Sequence, residues 1–165
     1  MMLFFKNLVF TVLVPGTVAV WIPYWLLGPS GRLRLRHIAG LQWLGLVPWV
    51  LGVTVYFWCV WNFARIGRGT PAPIDPPRTL VAVGPYRYTR NPMYVAVLIT
   101  IFGEAVLCRS TPLVVYGLAI WAAFHTFVVL YEEPTLRRLF GSDFERYRTR
   151  APRWLLPRRR GQDAA

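Results

Sequence analysis

NPMYVAVLITIFGEAVLCRSTPLVVYGLAIWAAFHTFVVLYEE, residues 91–133, contains two apolar runs, 93–108 and 112–131, that meet at the tight turn CRST (108–111). A run of about 20 residues with few charges is long enough to cross a bilayer as a helix. The second run meets that length, and the first is shorter and carries Glu104. Two such runs joined by so short a turn predict an antiparallel helical hairpin. Two further uncharged runs precede it. Residues 8–27 contain Pro15, Gly16 and Pro23, which predict a kinked helix. Their apolar part is longer than a secretory signal would carry, so an uncleaved helix is expected. Residues 38–64 are uncharged throughout and long enough to cross with tilt. The expected fold is therefore all-α: a polytopic membrane bundle of about four helices forming a single domain over 1–165, with a loop at 65–92 and a C-terminal segment at 132–157.

Composition points the same way. The chain is 55% hydrophobic and only 16% charged, yet its formal net charge is +12. Soluble domains carry about 25% charged residues. An apolar chain with a strongly basic remainder suits a membrane protein whose basic segments face anionic headgroups. The arginines flank apolar runs instead of striping a polar face, so no nucleic-acid partner is expected. With four spans, fifteen of the nineteen Lys and Arg fall on the side of the N-terminus, the 65–92 loop and the tail. The positive-inside rule then puts both termini and that loop in the cytoplasm, expected of a bacterial inner (plasma) membrane. Positions 68 and 162 are expected on that side, and 30 and 110 opposite. Arg32, Arg34 and Arg36 run against the trend. Cys59 and Cys108 lie in apolar surroundings without metal-ligand spacing, so they are read as packing residues and no metal is expected.

The hairpin opens from GPYRYTRNPMY, residues 84–94. Asn91-Pro92 is a helix-start signature, the Asx side chain capping free amides and proline suiting the first turn. Arg87 and Arg90 gather where that helix end also presents bare N–H groups. Tyr86, Tyr88 and Tyr94 are open to two roles: interfacial anchors, or walls that stack on a flat ligand. Equal rise along the two helices puts Glu132 level with residues 89–91. Glu132-Glu133 thus faces an arginine mouth. The pair either forms salt bridges to Arg87, Arg90 or Arg137, or helps to hold a zwitterionic ligand. His125, seven residues before Glu132, is placed on the same face, near the depth of Ala96. Its role is open between a catalytic group and a histidine hydrogen-bonded to a neighbouring helix. Glu104 is read as reaching the far surface beside Arg109.

From about Arg78 to Pro152 the chain resembles the integral-membrane methyltransferases related to isoprenylcysteine carboxyl methyltransferase and the phospholipid methyltransferases. The resemblance rests on Gly84, Tyr86, Arg90, Asn91, Pro92 and Tyr94. It continues past the hairpin in Glu132, Glu133, Leu136, Phe140, Gly141, Phe144, Tyr147 and Pro152. It implies S-adenosylmethionine as cofactor, held by Arg78, Thr79, Leu80 and Val81, by Gly84 and Tyr86, by Arg90, Asn91, Pro92, Met93 and Tyr94, and by Glu132 and Glu133. It also implies a lid from Glu132 onward and a lipid or lipophilic substrate entering from the bilayer. Asn91 stands where the family has histidine, Phe144 where it has tyrosine, and Ala151 where it has valine. Val128 stands where the prenylcysteine enzymes carry an arginine for the substrate carboxylate. That substitution turns the expected acceptor towards an amine or thiol, with His125 as the nearest polar group to deprotonate or position it. Two rival readings are a membrane reductase using NAD(P)H and a non-enzymatic membrane scaffold.

Overall fold

The computed structural model describes residues 9–34, 39–67 and 79–155. The beginnings of the first two expected spans, Arg78, the middle of the 65–92 loop and the end of the expected lid lie outside these residues. Four long helices are formed among them. We number these α1 (Val9–Pro29), α2 (Gly40–Ile66), α3 (Pro92–Leu107) and α4 (Thr111–Arg150). Three are long and apolar enough to cross a membrane, and α3 is a shorter apolar helix. Their outward faces expose large apolar residues such as Trp25, Trp58, Leu118 and Trp121, as a surface solvated by lipid does.

The kink expected in α1 falls at Gly28 (φ 60°, ψ −174°), and nearer its prolines the helix contains a π-helical turn, Thr17–Trp21. The Ile22 amide reaches back to the Thr17 carbonyl. The next amide in that ladder would belong to Pro23, which has none. The Val18 carbonyl is thereby left without a backbone donor, and the Tyr116 hydroxyl of α4 donates to it at 2.8 Å. A proline defect in one helix thus becomes a tie to another, as intramembrane backbone must find partners.

Close packing of α2 on α3 organises the bundle. Gly45 and Gly52, seven residues apart, meet Gly103 and the Ala96–Thr100 turn. A Cβ on Gly45 would sit 2.7 Å from the Gly103 carbonyl, and one on Gly52 2.6 Å from that of Ala96. Lipid tails are as apolar as leucine, so helix association in a bilayer relies on such close backbone approach. At the turn end of α3, Gln42 donates to the Leu107 carbonyl at 2.8 Å and the Trp49 indole to Glu104 Oε1 at 3.3 Å. Glu104 is therefore held inside by tryptophan instead of reaching the surface, and its Oε2 is buried without a hydrogen bond. The tight turn forms as expected. Arg109 adopts φ 45°, and Ser110 Oγ accepts from the Leu113 amide at 3.4 Å to start α4.

Helix α4 carries the chain out of the apolar layer and back onto the mouth. It runs as an α-helix from Thr111 to Phe127, passes through a π turn at Val128–Glu132, and resumes at Glu133. Gly141, at φ 49° and ψ −119°, breaks it and redirects the remainder. Beyond the break Phe144, Tyr147 and Ala151 pack with Cys59, Val81 and Tyr86 into one core.

Candidate functional site

The mouth is built by three segments: the loop 79–91, the start of α3, and the returning tail 151–154. Asn91-Pro92 starts α3, but the Asn91 side chain does not cap it. Its amide instead donates to the Arg153 carbonyl at 2.9 Å, and the Thr89 hydroxyl donates to the same oxygen at 2.9 Å. The Arg90 amide donates to the Pro152 carbonyl at 2.8 Å. The helix-start signature is correct, and its polar side chain serves long-range docking in place of local capping. Pro92 is buried at the helix start, and Met93 packs between the two apolar clusters.

Glu133 joins the segments electrostatically. Arg153 grips it as a fork, Nε to Oε1 and Nη2 to Oε2, both at 2.8 Å, and Arg90 Nη1 stands 3.2 Å from Oε1. Burial alone raises its carboxyl, but the Arg153 bonds and the charges of Arg90, Arg153 and Arg148 outweigh it and hold the group below the usual 4.5. Of the three arginines offered as partners, Arg90 is the one used; Arg137 pairs with Glu145, and Arg87 has no partner among the described residues. Arg153 went unnoticed as a site residue. Its signal was the basic-aromatic pair Arg153-Trp154 just past the end of the tail helix.

Glu132 differs. Its Oε2 accepts the Tyr94 hydroxyl at 2.8 Å, and no arginine, lysine or histidine among the described residues lies within ion-pair reach. It sits beyond the apolar part of α4. Burial raises its carboxyl, the Tyr94 bond opposes this, and the neighbouring Glu133 charge adds to it. Nearby, Arg90 is only 10% exposed, and its Nε and Nη1 make no hydrogen bond. Among the described residues, the site thus sets a carboxylate without a cation beside a guanidinium whose charge is shared with Glu133 and whose Nε has no acceptor.

Glu132 follows His125 by seven residues but by fewer turns than in an unbroken α-helix, because the π turn at Val128–Glu132 advances less rotation per residue. Tyr94 accordingly touches Glu132 and Phe124, its ring centroid 4.7 Å from that of Phe124. His125 instead meets the tail. The Trp154 indole stacks on it and donates to Nδ1 at 3.2 Å, leaving the ring proton of the neutral imidazole on Nε2. Val128 is completely buried.

The remaining expected residues divide. Tyr86 does not stand open as an aromatic wall. Its ring lies in the core against Phe63, within reach of the Cys59 thiol, and Tyr147 donates to its carbonyl at 2.7 Å. Tyr88 is the exposed tyrosine, as an interfacial anchor would be. Gly84 is structural: at φ 59°, a Cβ would meet Asn62 Nδ2 at 2.6 Å. Val81 is core, Thr79 is exposed, and Leu80 lines a separate cavity. The site therefore gathers Arg90, Asn91, Tyr94, Glu132 and Glu133 and leaves Thr79–Val81 apart from them.

No curated protein and no solved structure matches the chain. The sequence profile of the phospholipid methyltransferase family matches residues 41–143, from the second helix to just past Gly141. That is more than half of the chain, and it spans the arginine mouth, the hairpin and both glutamates, so this membrane protein belongs to the phospholipid methyltransferase family.

Proposed function

We propose that the protein transfers a methyl group from S-adenosylmethionine to a lipid or lipophilic acceptor, with the mouth on the cytoplasmic side. The observation that carries this reading is the half-buried Glu132, fixed by Tyr94 and without a cation in reach among the described residues. A carboxylate in that state favours a positive ligand group. Arg90 already shares its charge with Glu133 through Nη1, and its Nε, which makes no hydrogen bond, is the donor left for a ligand carboxylate. The donor set therefore fits a zwitterion with an ammonium or sulfonium and a carboxylate, as S-adenosylmethionine has. When bound, that cofactor supplies a methyl carbon activated by its sulfonium.

The chain's own residues then have modest tasks. Glu132 and Tyr94 hold the positive end, Arg90 the negative end, and the tail 151–154 excludes water, so alignment and desolvation supply most of the acceleration. His125 keeps its proton on Nε2 while Trp154 occupies Nδ1, so it orients the acceptor as a donor and becomes a base when Trp154 lets go. The buried Val128 offers no partner to an acceptor carboxylate, which favours an amine or thiol lipid.

Calorimetry of the purified protein with S-adenosylhomocysteine and with NADPH tests the cofactor. S-adenosylhomocysteine is expected to bind and NADPH not to; the reverse would establish the reductase reading, and binding of neither a non-enzymatic one. Glu132→Gln is expected to weaken S-adenosylmethionine binding by about 1.5–3 kcal/mol, the scale of a charge-assisted hydrogen bond. Unchanged affinity in the folded variant would remove Glu132 from the site.

A further inference from the structure

Beside the mouth lies a second concavity of about 570 Å³, and it shares no residue with the cluster of Glu132, Glu133, Tyr94 and Arg90. One wall is the extended stretch 79–83. Along it Val81 is buried in the core, while Leu80 and Ala82 pack against that core and also line the cavity, with Arg87 at its end. The other wall is the last part of α4. Arg146, Tyr147 and Arg150 stand three, four and seven residues after Asp143 and so share one face with it. Arg146 pairs with Asp143, which cancels one positive charge. Arg87 and Arg150 make no hydrogen bond or ion pair among the described residues, and both line the cavity. Tyr147, held by its bond to the Tyr86 carbonyl, forms the floor.

We propose that this cavity binds a phosphate group. Two unpaired guanidiniums with planar donor forks, set against a small apolar wall, suit a doubly charged oxyanion attached to a carbon skeleton. Such a group comes from a headgroup in the adjoining leaflet or from a soluble phosphorylated compound. The inference stands on the cavity alone and does not require the proposed cofactor.

The full chain in detergent micelles is titrated with inorganic phosphate and, separately, with micelles containing dilauroyl phosphatidic acid, followed by calorimetry and phosphorus NMR. Phosphatidic acid has no amine or thiol, so it cannot report a methyl acceptor. Saturable binding that weakens with salt is expected from at least one probe. Saturation by phosphate assigns a soluble source, and saturation by phosphatidic acid alone assigns a lipid. R87Q/R150Q is expected to bind the saturating probe about tenfold more weakly or worse, and R87Q and R150Q singly to fall between, with helical circular dichroism retained. Saturation by neither probe, undiminished affinity in all three variants, or displacement of the probe by excess S-adenosylhomocysteine would each overturn the proposal.

Discussion

Glu133 holds Arg153 in a two-pronged grip while Arg90 stands at 3.2 Å, and its side chain is only 12% exposed. Removing one partner of a buried ion pair leaves the other charge uncompensated, at a cost of about 3–5 kcal/mol. Glu133→Ala is therefore expected to undock the tail, read as faster proteolysis after Arg150. The pH dependence follows from the depressed carboxyl. The stabilisation is complete above the ordinary glutamate value of 4.5 and is lost as pH falls through the lower folded value. Protection of the tail should thus persist to about pH 4.5 and fail below it, whereas Glu133→Gln should lack that acid transition. His125 supplies a second test at this scale. His125→Ala is expected to lower methyl transfer at least tenfold with S-adenosylhomocysteine binding kept. Unaltered turnover would make the ring a docking surface for Trp154 alone. Both residues are visible in the sequence as ionisable groups next to an apolar run. Their partners in the tail, 20 and 29 residues further on, are not.

At the scale of elements, the four helices and the tight turn between α3 and α4 are legible because apolar length and turn chemistry are local. The π turns are less so. Pro23 signals the first only as a kink, and nothing local marks the one at Val128–Glu132, where one extra residue per turn exchanges His125 for Phe124 beside Tyr94. The α2–α3 seam is written in glycines, yet their meaning depends on which helix lies opposite. Gly103→Val would drive a side chain into the Trp49 amide, 2.7 Å from the position of a Cβ. Overpacking of this kind costs about 1–3 kcal/mol, so a clear loss of thermal stability in detergent is expected. Equal melting of Gly103→Val and the parent chain would mean that the seam opens freely.

For the whole molecule, the distribution of charge decides orientation. On the four-span topology expected from the sequence, fifteen of nineteen Lys and Arg fall on the side of the mouth, and we propose on the positive-inside rule that this side is cytoplasmic. Cysteines introduced at the exposed positions Arg87 and Thr111 should label from opposite faces of sealed vesicles, Arg87 from the cytoplasmic one. Labelling of both from the same side would contradict a spanning α3–α4 hairpin.

The amino-acid sequence by itself determined the helical bundle, the hairpin, and the meeting of a glutamate pair with an arginine mouth. Apolar run length, a four-residue turn and equal helical rise are local quantities that need no knowledge of neighbours. Only the tertiary structure decided that Asn91 docks the tail instead of capping its helix, that Tyr86 turns inward, and that Trp154 closes on His125. Those outcomes depend on how each helix is rotated about its axis and where Gly141 redirects the chain. Such rotations are set by packing between segments far apart in sequence.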